Sequence, residues 1–126
     1  MNSTLPRVLV VDDNIALAEN IADILECEGF EATPVESPRI AIETASQRTF
    51  DCVLLDVRMP EMDGIELRER LRESQPVAEF VFMTAYATDE RLDAARKSGT
   101  AGILAKPFGP DALLRLLRVC AVRHAP

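Results

Sequence analysis

FDCVLLDVRMPEMDG, at residues 50–64, is the stretch that decides the fold of this 126-residue chain. Four apolar residues, 52–55, run directly into a carboxylate, Asp56, and the turn residues Pro60 and Gly64 follow. A short apolar run bounded by polar and turn residues is typical of a strand buried on both faces, as in a parallel sheet. Open α/β sheets bind ligands at the carboxyl ends of such strands. Asp56 is therefore a candidate reactive group.

Strands and helices alternate on both sides of this segment. The apolar runs predict five strands, at residues 7–11, 30–35, 52–56, 79–84 and 102–105. Helical periodicity and capping residues predict helices at 14–28, 38–48, 64–73, 88–99 and from 110 onward. The helix at 88–99 has the thinnest apolar face, formed by Leu92, Ala94 and Ala95, so we expect it to be the least firmly packed. Pro34 cannot donate a ladder hydrogen bond, which places the second strand at a sheet edge. The alternation predicts an α/β fold with a doubly wound parallel sheet.

Composition limits the class of protein. The chain has 14 basic and 21 acidic residues and a net charge of −7, which argues against a nucleic-acid-binding face. No apolar run approaches the ~20 residues of a membrane span, and residues 1–6 do not resemble a signal peptide. Three widely spaced cysteines, Cys27, Cys52 and Cys120, are expected to be small core residues in a reducing compartment. We therefore expect a single cytoplasmic domain covering residues 1–126, with no membrane partner.

Chemically distinctive residues follow four of the predicted strands. Because all carboxyl ends of a parallel sheet lie on one edge, Asp12 and Asp13, Asp56, Thr84 and Lys106 should meet at a single rim. Crowded carboxylates raise one another's pKa unless a cation joins them, and an all-oxygen ligand set suits Mg²⁺. A lysine and a hydroxyl beside a metal-bound carboxylate are suited to phosphoryl transfer, with the carboxylate as the attacking group.

Four motifs carry a resemblance to a known family. They are VVDDN at residues 10–14, LLDVRMPEMDG at 54–64, MTA at 83–85 and AKPF at 105–108. In order and spacing they resemble the receiver domain of bacterial two-component response regulators, of which the protein CheY is an example. The resemblance covers about residues 7–122. It implies a flavodoxin-like (βα)5 fold with strand order 2-1-3-4-5, which agrees with the edge position inferred from Pro34.

The resemblance also implies residue roles at the rim. Asp56 would accept a phosphoryl group from the phosphohistidine of a histidine kinase or a histidine phosphotransfer protein. Asp13, Asp56 and the backbone carbonyl of Arg58 would bind Mg²⁺ directly, and Asp12 would act largely through water. Lys106 would contact the phosphoryl oxygens. The Arg58 side chain, two residues after the acceptor, would flank the phosphoryl group and regulate the access of water.

A second set of residues would transmit the signal. The resemblance implies that Thr84 contacts the phosphoryl oxygens, that Tyr86 flanks the group, and that the peptide bond before Pro107 is cis. The motion of Thr84 should reach the surface through the loop that begins at Ala85. Most family members have Tyr or Phe where this chain has Ile103, and a β-branched side chain is stiff at χ1. The usual relay through an aromatic side chain is therefore not expected here.

Three functional classes remain open from the sequence. The first is a phosphorylation-driven switch, not an enzyme beyond its own phosphorylation and dephosphorylation, which binds a downstream protein through the face formed by helix 4, strand 5 and helix 5. Such a domain could also be a phosphorelay intermediate, or the receiver portion of a longer regulator or hybrid kinase. The second is an aspartyl-phosphate hydrolase, but Asp56-Val57-Arg58 lacks the second acid of the D-x-D motif. The third is a phosphorylation-independent binding module.

Overall fold

The computed structural model describes residues 5–86, 88, 90–97 and 99–123, with the backbone alone for 121–123. Its strands are β1 (Arg7–Val11), β2 (Glu31–Val35), β3 (Cys52–Asp56), β4 (Glu79–Thr84) and β5 (Gly102–Ala105). Its helices are α1 (Ile15–Cys27), α2 (Pro38–Gln47), α3 (Gly64–Leu71), α4 (Arg91–Lys97) and α5 (Pro110–Arg123). The strands are all parallel, in the order β2-β1-β3-β4-β5. The predicted fold class and strand order are confirmed, including the edge position of the strand that contains Pro34.

Helices cover both faces of the sheet. Alternate residues of β1 and β3 point to opposite sides: Leu9 and Val53 pack with α2, α3 and α4, whereas Val8 and Leu54 pack with α1 and α5. All four side chains are fully buried. A strand covered on both faces has no solvent-facing position, which explains why the central strands read as continuous apolar runs.

Side-chain caps begin three of the helices. The side-chain oxygens of Asn14, Ser37 and Asp63 accept the backbone N–H groups three residues on, at 3.2, 3.1 and 2.8 Å. Each cap satisfies an N–H group that has no partner within the helix. The predicted starts of these three helices lie within one residue of the observed starts. The structure ends α3 at Leu71, two residues before the predicted end, because the chain turns there to bring Gln75 back toward α2.

The fourth helix is shorter than predicted. It begins at Arg91, three residues after the predicted start at residue 88. Leu92 and Ala95 are its buried side chains, whereas Ala94, predicted for the apolar face, is exposed. A narrow apolar contact of this kind provides little hydrophobic stabilisation. The prediction of a weakly packed helix is consistent with this geometry.

Two further features differ from expectation or were missed. Cys27 is exposed, so the prediction of three core cysteines is correct only for Cys52 and Cys120, which are buried. Gln75 is a buried amide that no sequence pattern identified. Its Nε2 donates to the carbonyl oxygens of Ala45 (2.9 Å) and Arg48 (2.6 Å) at the end of α2, and its Oε1 accepts the backbone N–H before β3 (2.8 Å). This amide joins the segment after α3 to the end of α2.

Candidate functional site

The rim at the carboxyl edge of the sheet gathers the predicted residues. Asp56 and Thr84 are the last residues of β3 and β4, and Asp12 and Lys106 directly follow β1 and β5. Carboxylate oxygens of Asp12, Asp13 and Asp56 all lie within 4.8 Å of one another. Asp12 and Asp56 are buried, whereas Asp13 is exposed. Parallel pairing produces this cluster, because it brings every strand end to the same edge.

Lys106 is the cation within this cluster. Its Nζ lies 2.7 Å from Asp12 Oδ2 and 3.2 Å from Asp56 Oδ1. The lysine is placed by its own backbone N–H, which donates to the carbonyl oxygen of Thr84 at 2.7 Å. A primary ammonium group has three donors, so it can hold two carboxylates and still offer a hydrogen bond to a third oxygen.

Burial and charge together perturb the titration of the rim. Burial, and then the negative charge of Asp12, raise the pKa of Asp56 from 3.8 to about 6, although Lys106 opposes the rise. Burial alone would lower the pKa of Lys106, but its contacts with Asp12 and Asp56 outweigh that effect and raise the pKa above its usual value. The rim therefore carries more negative charge than one lysine neutralises. Perturbed carboxylates of this kind are frequent at functional sites.

The donor set fits a hard divalent cation. Asp12, Asp13 and Asp56 offer three carboxylates and no nitrogen or sulfur ligand, which is the chemistry that Mg²⁺ prefers. A cation there would also relieve the repulsion by Asp12, which after burial is the second cause of the raised pKa of Asp56. The direct roles of Asp13, Asp56 and the Arg58 carbonyl, and the water-mediated role of Asp12, remain predictions.

The loop after Asp56 is packed tightly against the end of β3. The backbone N–H of Gly64 donates to the carbonyl oxygen of Val57 at 2.8 Å. A Cβ atom on Gly64 would collide with the backbone carbonyl oxygen of Asp56. Only glycine fits at this position, where α3 begins.

Two loops meet above the rim through the side chains of Arg58 and Tyr86. The Arg58 guanidinium carbon lies 4.8 Å from the centroid of the Tyr86 ring, which is within range of a cation–π interaction. The Tyr86 backbone N–H donates to Thr84 Oγ1 at 2.9 Å, and that threonine is buried. Tyr86 itself is 57% exposed. The stack links the loop after Asp56 to the loop after Thr84, which sequence reasoning did not predict.

The remaining switch residues lie around the rim. Ile103 is half-buried and packs against the core on the α2–α3–α4 side of the sheet. The peptide bond between Lys106 and Pro107 is cis, as the resemblance implied. Ala85 is exposed and, with Lys106, lines one end of an apolar groove of about 390 Å³ between α1 and the start of α5. Its apolar walls are formed mainly by Leu17, Ile21, Ile24, Phe108 and Leu113.

Comparison with known proteins agrees with the fold and with the motifs at the rim. The model of the response regulator receiver domain matches residues 8–118, which is most of the chain. The chain belongs to the response regulator receiver domain family. It is 41% identical over 110 residues to a response regulator receiver protein of Anaeromyxobacter sp. (strain Fw109-5), covering 87% of this chain and 46% of that protein. It is 31% identical over 123 residues to the transcriptional regulatory protein FixJ of Bradyrhizobium diazoefficiens, covering 98% of this chain and 60% of FixJ.

Solved structures of this family show the same architecture. A CheY-like receiver domain from Methanospirillum hungatei JF-1 superposes with a TM-score of 0.88 at 28% identity, covering 94% of this chain and 95% of that one. The two chains therefore share the same fold over nearly all of their lengths. It spans less than two thirds of the length of both sequence relatives named above.

Sequence reasoning missed three charged residues whose side chains connect α3 with α4. Asp63 pairs with Arg91 at 3.0 Å, and the buried Arg68 donates from Nη1 to the carbonyl oxygen of Ala95 at 3.4 Å. The spacing of Asp63 and Glu66 at the start of an apolar-periodic segment could have identified Asp63 as a helix cap. No local pattern indicates that Arg68 is buried or that Arg91 reaches Asp63.

In the part of the chain that the structure describes, no helix has both the length and the apolar composition needed to cross a bilayer.

Proposed function

We propose that this receiver domain accepts a phosphoryl group on Asp56 from a phosphohistidine, in a Mg²⁺-dependent reaction. The observation that carries the proposal is the contact of Lys106 with both Asp12 and Asp56 inside a cluster of three carboxylates. Of those three acids, Asp56 is the one that ends a buried strand. A carboxylate oxygen of Asp56 would form the new bond to phosphorus while the bond from phosphorus to the imidazole nitrogen breaks. The released imidazole keeps the electron pair of that bond.

The chain's own residues supply charge and orientation for this transfer. Lys106 is already within hydrogen-bond distance of Asp56, so its ammonium can contact a phosphoryl oxygen added there. The Thr84 hydroxyl accepts from the Tyr86 N–H, which leaves its own hydrogen free to donate to a phosphoryl oxygen. Asp13, Asp56 and the Arg58 carbonyl would hold Mg²⁺, with Asp12 acting through water. When bound, the ion would neutralise the transferred oxygens.

The phosphoryl donor would be a sensor histidine kinase or a histidine phosphotransfer protein. The apolar groove between α1 and α5 supports this part of the proposal, because it opens beside Lys106 and Ala85 at the rim. An apolar groove next to an acceptor suits a helix that presents its histidine to the acceptor. The site would lie in the cytoplasm, where such donors use ATP-derived phosphoryl groups.

The output would be a change in protein binding through α4, β5 and α5. The narrow apolar contact of α4 supports this proposal, because a weakly packed element responds most to a small change in free energy. The names of the relatives point to different contexts, since FixJ is a transcriptional regulatory protein. A sensor protein, GacS of Pseudomonas syringae, is 34% identical over 122 residues, but the chain spans only 14% of its length. A phosphorelay intermediate and the receiver portion of a longer regulator or hybrid kinase therefore fit equally.

Labelling by acetyl phosphate tests the acceptor. With Mg²⁺, intact-protein mass spectrometry should show the addition of one phosphoryl group, which chelation of the metal prevents. Asp56→Asn should abolish the addition, whereas Asp23→Asn, at an exposed position on α1, should leave it unchanged. Addition that persists in Asp56→Asn would refute the assignment. No labelling of the wild type would favour a phosphorylation-independent module, and steady turnover of a simple phosphomonoester would favour a hydrolase.

The stack of Arg58 on Tyr86 should lengthen the lifetime of the phosphorylated state. We propose that it limits the approach of water to the phosphoryl group. A cation–π interaction is worth about 0.5–1 kcal/mol at an exposed site, so its loss should speed dephosphorylation about two- to fivefold. Tyr86→Ala should show this effect, and Tyr86→Phe, which keeps the ring, should not. Equal lifetimes of the phosphoryl group in Tyr86→Ala and the wild type would contradict the proposal.

A further inference from the structure

Asp63 joins the acceptor segment to α4 through its two carboxylate oxygens. Oδ1 accepts the backbone N–H of Glu66 at 2.8 Å and so caps α3. Oδ2 accepts from Nη1 of Arg91, the first residue of α4, at 3.0 Å. The Asp63 side chain is 29% exposed and the Arg91 side chain is 41% exposed, so solvent only partly screens the ion pair. One carboxylate thus determines where α3 begins and holds the end of α4 nearest the rim.

Backbone contacts connect Asp63 to the acceptor itself. A Cβ atom added to its neighbour Gly64 would collide with the carbonyl oxygen of Asp56, and the Gly64 N–H donates a 2.8 Å hydrogen bond to the carbonyl oxygen of Val57. Close-packed backbone cannot be compressed, so a shift of the acceptor carbonyl moves the start of α3. A shift at the start of α3 in turn moves the Asp63 carboxylate relative to Arg91.

Two polar contacts join α4 to α3, the ion pair of Arg91 with Asp63 and the hydrogen bond from Arg68 to Ala95. Leu92 and Ala95 are the buried side chains of α4, and the buried Arg68 of α3 donates to the carbonyl oxygen of Ala95. Because this apolar contact is narrow, the Asp63–Arg91 ion pair can shift the equilibrium between a state in which α4 is docked and a state in which it is loosened. These contacts would connect Asp56 to α4 through α3 without requiring a rotamer change at Ile103.

We propose that the Asp63–Arg91 ion pair is a coupling element that holds α4 against α3 and transmits changes at Asp56 to α4. The inference rests on the proposed function for the statement that Asp56 is phosphorylated, but not for the statement that the pair holds α4. A ligand at Asp56 can shift α4 only if some contact differs in free energy between its two positions. The Asp63–Arg91 pair is such a contact.

The first experiment needs no phosphorylation. Hydrogen exchange of α4 amides, read from peptides covering residues 90–97, is compared in the wild type, Asp63→Asn, Arg91→Ala and the double variant. Asparagine still caps a helix, so Asp63→Asn removes the charge and spares α3. Partly exposed ion pairs are worth about 0.2–1 kcal/mol. The α4 amides of each single variant should therefore exchange about 1.5- to 5-fold faster than those of the wild type.

Arg91 makes other contacts, so the double variant decides the result. If the pair is the coupling element, Asp63→Asn should add nothing to Arg91→Ala, because the partner is already gone. Asp93→Asn is the matched control, since it makes the same change at a carboxylate whose 3.2 Å pair with Arg96 lies within α4. Additive effects of the two variants, or an equal effect of Asp93→Asn, would overturn the holding role.

The second experiment tests transmission. Beryllofluoride with Mg²⁺ mimics the phosphoryl group, and its binding at the rim is followed independently by fluorine NMR. Asp63→Asn should bind beryllofluoride like the wild type but lose at least half of the change in exchange across residues 90–97. An undiminished change in Asp63→Asn would overturn the transmission while leaving the acceptor intact. Failure of the wild type to bind beryllofluoride would instead refute the proposed function.

Discussion

Replacing Asp56 with Asn should stabilise the metal-free protein at neutral pH. The rim places three carboxylates within 4.8 Å of one another, and burial together with Asp12 raises the pKa of Asp56 from 3.8 to about 6. That rise corresponds to a cost of about 3 kcal/mol for ionising Asp56 in the folded protein, compared with ionising it in the unfolded chain. The variant keeps an oxygen that can accept from Lys106 but loses the charge on it. The pKa of about 6 already includes the contacts with Lys106, so about 3 kcal/mol is the upper limit of the gain. Asn replaces the neutral carboxylic acid imperfectly, and a loss of about 1 kcal/mol in hydrogen bonding leaves a net gain of about 1–2 kcal/mol.

The sign of the pH dependence follows from the raised pKa. Between about pH 4 and pH 6 the folded wild type binds a proton at Asp56 that the unfolded chain has released, so this carboxyl makes the wild type less stable as the pH rises. Asn does not titrate. The stability advantage of Asp56→Asn should therefore be absent near pH 4, grow through this window and be complete near pH 7.

Thermal unfolding in the presence of a chelator measures the effect. At pH 7.5 the melting temperature of Asp56→Asn should exceed that of the wild type by about 3–8 °C for a domain of this size. The difference should disappear at pH 4. Mg²⁺ should stabilise the wild type more than the variant, by an amount that grows with its concentration over Kd. A metal-free Asp56→Asn protein that melts below the wild type at pH 7.5, or a difference independent of pH, would refute the account of the repelling carboxylates.

Three further predictions concern single residues. Asp13→Asn should weaken Mg²⁺ binding about tenfold more than Asp12→Asn, because losing a direct charged ligand costs about 1.5–3 kcal/mol; equal losses by calorimetric titration would contradict it. Gln75→Ala should lower the free energy of unfolding by about 2–4 kcal/mol in urea, and Gln75→Glu should not restore it, because a carboxylate lacks the amide N–H donors used here. Gly64→Ala should cost about 1–3 kcal/mol and slow phosphorylation, because its methyl group meets the acceptor backbone. Gly109→Ala is the control, since nothing lies within 4 Å of that added atom, and equal costs would show that the contact at Gly64 is not limiting.

Most of the architecture could be predicted because it depends on repetitive local signals. Apolar runs identified the strands, and Pro34 identified the edge, since a missing N–H group is a property of the residue itself. The helix starts followed from caps such as Ser37, whose side chain bonds only three residues away. Helix ends were less predictable. The end of α3 depends on the hydrogen bond that the Gln75 side chain donates to the carbonyl oxygen of Arg48, at the end of α2.

The sequence by itself determined the sheet, the strand order expected from the family motifs, and the residues that meet at the rim. That was possible because parallel topology brings strand ends to one edge whatever their separation along the chain. Tertiary structure alone decided how those residues pair: Lys106 with both Asp12 and Asp56, Arg58 over Tyr86, and Asp63 with Arg91. Such pairs join residues 28 to 94 positions apart, and their geometry depends on rotamers and burial set by packing. Local sequence patterns carry periodicity and capping, but they do not encode the direction in which a side chain points across space.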